Sequence, residues 1–125
     1  MALLLDTGAL IGFERGDRRV AAFLEAARRR RDRVITSSGC VAQAWRGGAR
    51  QARLSRLLAG TAEVPLDSSQ SRPVGELCAT TGLADVVDAH LALLAHDSDV
   101  VVTSDVEDFT VLLRAAGCSA RTVTC

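Results

Sequence analysis

The fold is decided by the stretch Leu3-Leu4-Leu5-Asp6-Thr7-Gly8, a short apolar run that ends in an aspartate. A run of this kind is typical of a strand buried on both faces of a parallel sheet. The stretch Val100-Val101-Val102-Thr103-Ser104-Asp105 has the same form near the other end of the chain. The two stretches predict two buried strands, each delivering an aspartate at its carboxyl end.

Strands and helices alternate along the rest of the sequence. Apolar residues recur at helical spacing, as at Val20, Phe23, Leu24 and Ala27. Further strands are predicted at 34–35, 63–66 and 121–123, and further helices through 45, around 54–58, from 67 toward 80, over 85–95 and through 113. This alternation predicts an α/β fold, a three-layer sandwich with a parallel five-stranded sheet, and a single domain spanning 1–125.

The composition fits an ordinary globular protein, with 48% apolar and 24% charged residues and zero formal net charge. All 15 basic residues are arginine, which excludes lysine-dependent chemistry, including that of Walker A nucleotide sites, receiver domains and haloacid-dehalogenase-type phosphatases. The charge is also segregated. Residues 1–56 carry twelve arginines against five acids, whereas residues 57–125 carry three arginines against ten acids.

The sequence predicts a cytoplasmic protein with no membrane segment. The four cysteines lack CxxC spacing and are expected to be reduced thiols. The apolar start is interrupted by Asp6 before it reaches the length of a signal sequence, and no apolar run approaches the ~18 residues of a membrane helix.

Aspartates gather where a doubly wound sheet places its active groups, at the carboxyl ends of the strands. Asp6 and Asp105 follow the two buried strands, Asp85 and Asp88 share a face of one helix, and Asp108 lies one turn beyond Asp105. Carboxylates packed together repel unless a cation compensates them, and all-oxygen ligands select Mg²⁺ or Mn²⁺. The expected chemistry is phosphodiester hydrolysis.

Each aspartate also has a structural alternative, because Asp is a common helix N-cap. We interpret Asp17 and Asp67 as caps, and a cap role stays open for Asp85 and Asp105. Asp88 differs from these because it lies inside an apolar helix, where a carboxylate needs a partner or a function. His90 and His96 have no acid or nucleophile at triad-like spacing and are interpreted as core or rim residues.

Four segments, in order, resemble the motifs of the PIN domain family, and specifically its small VapC-type toxins. They are LLDTGAL at 4–10, TSSGCVAQAWRG at 36–47, ADVVDAHLA at 84–92 and VTSDVEDF at 102–109. The resemblance covers nearly the whole chain. It implies a PIN-like fold and an Mg²⁺- or Mn²⁺-dependent endoribonuclease that cuts RNA. It also implies a homodimer held inactive by a cognate antitoxin.

The resemblance further implies site residues. Asp6, Asp85 and Asp105 correspond to catalytic metal ligands, and Asp88 and Asp108 are second candidates at the same two motifs. We therefore expect the metal ligands among these five aspartates. The expected catalytic residues are Asp6, Gln43, Asp85 and Asp105.

One position departs from the family pattern, because Gln43 stands where the family carries an acidic residue. The amide oxygen is still able to hold a metal-bound water. The amide lacks the negative charge of a strong ligand, however, so metal affinity should drop. Three explanations stay open: an active natural variant, a degenerate member, or an engineered substitution. We hypothesise that Asp88 supplies the missing charge. The alternative function is a weakened PIN-like module that binds RNA or a protein without cutting.

Arginines provide candidate RNA contacts near this position. On a helical wheel, Arg46, Arg50 and Arg53 fall at i, i+4 and i+7, although Gly47 and Gly48 interrupt that segment. Such a stripe would hold an RNA backbone through its phosphates. The alternative is that these arginines form a solvated face or contact an antitoxin.

Overall fold

One parallel sheet of five strands forms the centre of the computed structural model, which describes all residues from Met1 to Cys125. The strands are β1 (Ala2–Leu5), β2 (Arg33–Ser37), β3 (Ala62–Val64), β4 (Val100–Thr103) and β5 (Arg121–Thr124). Their order across the sheet is β3-β2-β1-β4-β5, and every neighbouring pair is parallel. The predicted α/β fold with a parallel five-stranded sheet is confirmed.

Seven α-helices and one short 3₁₀ helix at Ala49–Gln51 connect the strands. From β1 to β3 the chain moves in one direction across the sheet, and from β3 to β5 it moves in the other. Right-handed crossovers therefore place the helices of the two halves on opposite faces. The helices are α1 (Thr7–Glu14), α2 (Arg18–Arg30), α3 (Ser38–Ala44), α4 (Ala52–Ala59), α5 (Ser68–Thr81), α6 (Val86–Leu94) and α7 (Val106–Ala115).

The core lies along the central strands. Every residue of β1 and β4 is buried, as expected for apolar strands covered on both faces, whereas the edge strands β3 and β5 are partly exposed. Leu5 pairs with Val102 in the β1–β4 register. The residues that follow these two strands therefore emerge side by side at the point where the strand order reverses.

The helix α1 is the element that the sequence pattern did not resolve. Its segment, TGALIGFE, is apolar nearly all round, so it lacks the one-sided periodicity that marks an amphipathic helix. It begins because the Asp6 side chain accepts a hydrogen bond from the Ala9 N–H, as an N-cap does.

None of the helices is both long enough and apolar enough to span a membrane alone. The helices α5 and α6 reach that composition only when taken together, and they meet at a bend of 109°.

Candidate active site

Asp6 is the most constrained carboxylate at the carboxyl end of the sheet. It is 3% exposed, Oδ1 accepts from Ala9 N at 2.7 Å, and Oδ2 accepts from Ser104 N at 3.3 Å. Burial raises the pKa of Asp6, hydrogen bonds from Thr103 and the two amides lower it, and the Asp105 charge raises it further. These contacts fix one carboxylate between the ends of β1 and β4.

Asp105 occupies the N-cap position of α7, yet its side chain makes no capping hydrogen bond. The side chain is exposed, and the Asp105 N–H donates to Thr103 Oγ1 at 2.7 Å. The structural role left open for Asp105 is therefore not used here, and the carboxylate stays available. Asp108, one turn on, has a raised pKa because of desolvation, a hydrogen bond with Asp105, and the charges of Asp105, Glu107 and Asp85.

Asp85 and Asp88 approach the same site from the start of α6. Asp85 is a cap, because its Oδ1 accepts from Val87 N and Asp88 N, both at 3.0 Å, while its Oδ2 takes no bond from the helix. Partial burial, followed by the charges of Asp85, Asp6, Asp105 and Asp108, raises the pKa of Asp88 to about 7. The structure therefore brings the five predicted carboxylates close enough together for the charges of the other four to raise the pKa of Asp88.

We call Asp6, Asp85, Asp88, Asp105 and Asp108 the carboxylate cluster, and none of its members forms an ion pair within the chain. The salt bridges lie elsewhere, on the 25–32 segment and at the pair formed by His96 and Asp99. An uncompensated set of oxygen ligands fits a hard divalent cation in charge and in donor type. The cluster is open, however, since no three acidic, His or Cys side chains are grouped closely enough to hold one ion.

Gln43 lies beside this cluster at the end of α3. Its side chain is exposed, and its Oε1 accepts a hydrogen bond from Thr7 Oγ1 at 2.5 Å. Because Thr7 directly follows Asp6, this contact brings the neutral amide to the edge of the cluster. The amide oxygen, the atom expected to face a metal-bound water, is thus already an acceptor for a protein hydroxyl.

The three arginines predicted to form a helical stripe do not share one helix. The helix α3 ends at Ala44, and both Gly47 (φ 82°) and Gly48 (φ 91°) adopt left-handed conformations that break the helical phase. The predicted stripe of Arg46, Arg50 and Arg53 is therefore wrong. These residues would lie on one face only if a single unbroken helix contained all three.

Two of the arginines nevertheless meet beside Gln43. Arg46 and Arg50 line a groove of about 340 Å³ together with Gln43 and Arg15. Arg53 belongs to a separate groove of about 460 Å³, which also contains Arg18 and Arg56. RNA binding by these arginines stays a prediction.

Several residues that organise the site were missed from the sequence. Thr103 contacts both Asp6 and Asp105, and Gln51 is a buried amide inside an exposed basic segment. The strand-end position of Thr103 is a usable signal, whereas nothing local distinguishes Gln51. The predicted caps Asp17 and Asp67 are confirmed by their hydrogen bonds, and His90 is buried as expected.

No protein-family model matches the sequence, and no curated protein is similar to it. Among solved structures, the fold is similar to that in the crystal structure of VapBC2 from Rickettsia felis bound to a DNA fragment from their promoter. The TM-score is 0.69 at 15% identity, and the match covers 100% of this chain and 99% of that chain. This likeness establishes the fold over the full length of the chain. The PIN-like fold expected from the resemblance is confirmed.

Proposed function

We propose that this protein is a divalent-metal-dependent endoribonuclease that hydrolyses RNA phosphodiester bonds, and that it is the toxin of a VapBC-type pair. The observation that carries the proposal is the carboxylate cluster, five acids without a cationic partner at the carboxyl ends of β1 and β4. A fold shared from end to end with VapBC2 supports it. Neither argument depends on the other.

The residues proposed to hold Mg²⁺ or Mn²⁺ are Asp6, Asp85 and Asp105, with Asp88 and Asp108 as second candidates. A cation bound here would supply Lewis acidity that activates water and neutralises charge on phosphate oxygens. The protein itself fixes the positions of two of these ligands. Thr103 and the Ser104 N–H hold Asp6 in place, while Thr103 also anchors the Asp105 backbone.

The Asp88 carboxyl is only partly ionised near neutral pH in the metal-free protein. Its pKa of about 7 reflects burial and four neighbouring carboxylates, so positive charge at the cluster would lower it and release that proton. This response is what the compensation hypothesis needs, since Asp88 would then provide the negative charge that Gln43 lacks.

The proposed partners follow from the same assignment. The substrate is RNA, the regulatory partner is a cognate antitoxin protein, and the toxin itself is a homodimer in the cytoplasm. The proposed functional unit is the complete domain, 1–125. VapBC2 was crystallised with promoter DNA. By analogy, we propose that promoter binding belongs to the complex with the antitoxin.

A second candidate function rests on Gln43. Its carbonyl oxygen is engaged by Thr7, and the cluster is open, which together favour a module that binds RNA or a protein without cutting it. The variants Gln43→Glu and Asp88→Asn test whether Asp88 compensates for the charge that Gln43 lacks. If Asp88 compensates, Asp88→Asn lowers Mn²⁺ affinity and RNA cleavage, and Gln43→Glu raises both. No change in either quantity would refute compensation.

The decisive experiment is an Mn²⁺ titration of RNA cleavage with a structured RNA, comparing wild type with Asp6→Asn. Asparagine keeps an Oδ1 acceptor for the Ala9 N–H but removes the charge. Glu76→Gln is the matched control, because Glu76 is an exposed acid on α5 and is not among the charges that raise the pKa of Asp6, Asp88 or Asp108. Cleavage that is lost in Asp6→Asn and kept in Glu76→Gln supports the nuclease, and absence of Mn²⁺-dependent cleavage in the wild type overturns it.

A further inference from the structure

The groove beside Gln43 is lined by donors rather than by apolar side chains. We call this groove, which Arg15, Gln43, Arg46 and Arg50 line, the arginine groove. Glu14 is the one acidic residue in its lining. Only two of its nine lining residues are hydrophobic. Protein–protein interfaces usually have an apolar, aromatic-rich centre, whereas phosphates need only donors and positive charge. The lining therefore favours a phosphodiester strand over a protein segment.

A buried amide holds this groove in shape. Gln51 is 4% exposed, and its Oε1 accepts from Arg46 N at 2.7 Å and from Gly47 N at 2.8 Å. Its Nε2 donates to Ala44 O at 2.9 Å and to Glu14 Oε2 at 3.2 Å. Two acceptor and two donor bonds satisfy the amide completely. Gln51 thus ties the segment after α3 to α1 and gives the only acid of the groove a neutral partner.

The arginines of the groove are free to take an anion. Neither Arg15 nor Arg50 forms a salt bridge, in contrast to Arg28 and Arg29, which both pair with Glu25. Arg46 donates from Nη1 to the Ala42 and Trp45 carbonyls, at 3.1 and 2.7 Å. Backbone bonds of this kind orient the guanidinium without neutralising it.

Gln43 adds a neutral donor at the end of the groove nearest the carboxylate cluster. With its Oε1 accepting from Thr7, its Nε2 retains two N–H groups for a ligand. A glutamate at this position would have no donor and would carry a negative charge.

We propose that the arginine groove binds the phosphodiester backbone of RNA next to the cleaved bond, with Gln43 as a phosphate donor and Gln51 as a positioning residue. This inference rests on the proposed function and assigns the path by which its substrate reaches the carboxylate cluster. It gives Gln43 a role toward RNA that does not depend on metal.

The test measures RNA binding without metal, by fluorescence anisotropy of a fluorescein-labelled single-stranded RNA in EDTA at several salt concentrations. The double variant Arg15→Gln/Arg50→Gln is compared with Arg28→Gln/Arg29→Gln, which removes two arginines outside the groove. Each phosphate contact on a single strand contributes about 0.7 to the slope of log K against log salt, so the groove variant should lose about 1.4. The control should keep the wild-type slope. Equal slopes in all three proteins would overturn the inference.

The roles of Gln43 and Gln51 have their own readouts in the same assay. Gln43→Glu should weaken metal-free RNA binding more than Gln43→Ala, because it replaces a donor with a negative charge. Equal or tighter binding by Gln43→Glu would refute the donor role. Gln51→Met should lower the salt slope by about 0.7 through the displaced Arg46, and an unchanged slope in the folded variant would refute positioning.

Cleavage assays separate this inference from the proposed function. If the wild type cuts RNA with Mn²⁺ and the groove variant keeps the wild-type salt slope, the nuclease stands and the groove is refuted. If the wild type does not cut but the groove variant lowers the slope, the groove stands as an RNA site and the nuclease is refuted.

Discussion

Two aspartates flank the strand β4, and they differ in what holds them. Asp99, at the amino end, is 4% exposed, and its two oxygens accept from Ala2 N at 2.7 Å and from His96 N at 2.9 Å. Asp105, beyond the carboxyl end, is exposed and caps nothing. The same residue type thus accepts backbone hydrogen bonds with both oxygens at one end of the strand and makes no capping bond at the other.

This difference teaches how to separate structural from functional acids in such a fold. At the amino end, the Asp97 carboxylate also accepts a backbone bond, from Ser119 N at 3.0 Å. Carboxylates that use their oxygens on backbone N–H groups stabilise the chain, whereas repelling carboxylates with free oxygens destabilise it unless they are protonated or bind a cation. Asp85 combines both situations, since one of its oxygens caps α6 and the other is free.

The largest effect is expected at the amino end. Asp99→Ala leaves the Ala2 and His96 N–H groups without their acceptor, at about 1–3 kcal/mol for each group. We expect the free energy of unfolding, measured by urea denaturation, to fall by about 2–6 kcal/mol in total. Asp105→Ala is the control, and its unfolding free energy should stay near that of the wild type. An equal loss in both variants would remove the distinction between the two ends.

The next effect concerns activity at the carboxyl end. Asp105→Asn should lower Mn²⁺-dependent RNA cleavage by about 100-fold or more, since even outer-shell partners of a metal contribute about 10- to 100-fold. A 100-fold loss corresponds to about 2.7 kcal/mol of transition-state stabilisation. Initial cleavage rates give the measurement, and a thermal melt should show no loss of stability. Cleavage at the wild-type rate would show that Asp105 is not part of the site.

A smaller effect tests the close approach between α1 and the residue after β4. A Cβ on Gly8 would lie 2.7 Å from Ser104 Cβ, so Gly8→Ala forces the two segments apart. Overpacking of this kind costs about 1–3 kcal/mol. The second substitution Ser104→Gly should restore the melting temperature of Gly8→Ala.

Gly75→Ala is the matched control, because its Cβ would meet nothing within 4 Å. Alanine should stabilise this helical position by about 0.5–1 kcal/mol. Similar losses of melting temperature at Gly8 and Gly75 would mean that the Gly8 contact is not tight.

The smallest effect is a pH dependence of stability in the metal-free protein. The folded pKa of Asp88 is about 7, against an ordinary value of 3.8 for this side chain, so folding favours its protonated form. Its stabilising contribution is complete below about pH 4 and is lost as the pH rises through about 7. Solvent screening of this half-exposed group should limit the change to about 1 kcal/mol.

Melting curves of wild type and Asp88→Asn in EDTA, over this pH range, isolate the Asp88 contribution. Burial lowers the pKa of His90 and gives the opposite slope below its ordinary value, but both proteins share that contribution and it cancels. Parallel curves for the two proteins would show that Asp88 is not destabilised by its neighbours. Mn²⁺ should restore stability at the upper end of the range in the wild type.

The strands and the carboxylates were predictable from the sequence for physical reasons. Short apolar runs such as 100–102 require burial on both faces, and parallel strands bring their carboxyl ends to one edge. Asp6 and Asp105 could therefore be placed together without knowledge of any side-chain contact. Local pattern could not show that Asp105 leaves its capping position unused, because that depends on the rotamer chosen in the folded protein.

The basic segment was less predictable, because its geometry depends on tertiary contacts. The helical wheel that placed Arg53 on the same face as Arg46 assumed that one helix continues through Gly47 and Gly48. The folded chain instead turns there, and the bonds of Gln51 to Arg46 N and Gly47 N hold the turn. A buried glutamine inside an exposed arginine-rich stretch has no sequence signature, since its partners lie on other elements.

The pairing of β1 with β4 also affects when the site can exist during synthesis. The Ser104 N–H reaches Asp6 across 98 positions of the chain, and β4 lies between β1 and the last strand. A ribosome must therefore release the chain through Asp105 before the two aspartates can meet. Because domains fold as units during synthesis, the nascent chain carries only part of the site until β4 has emerged. A nascent chain that ends before β4 would thus lack the assembled carboxylate cluster.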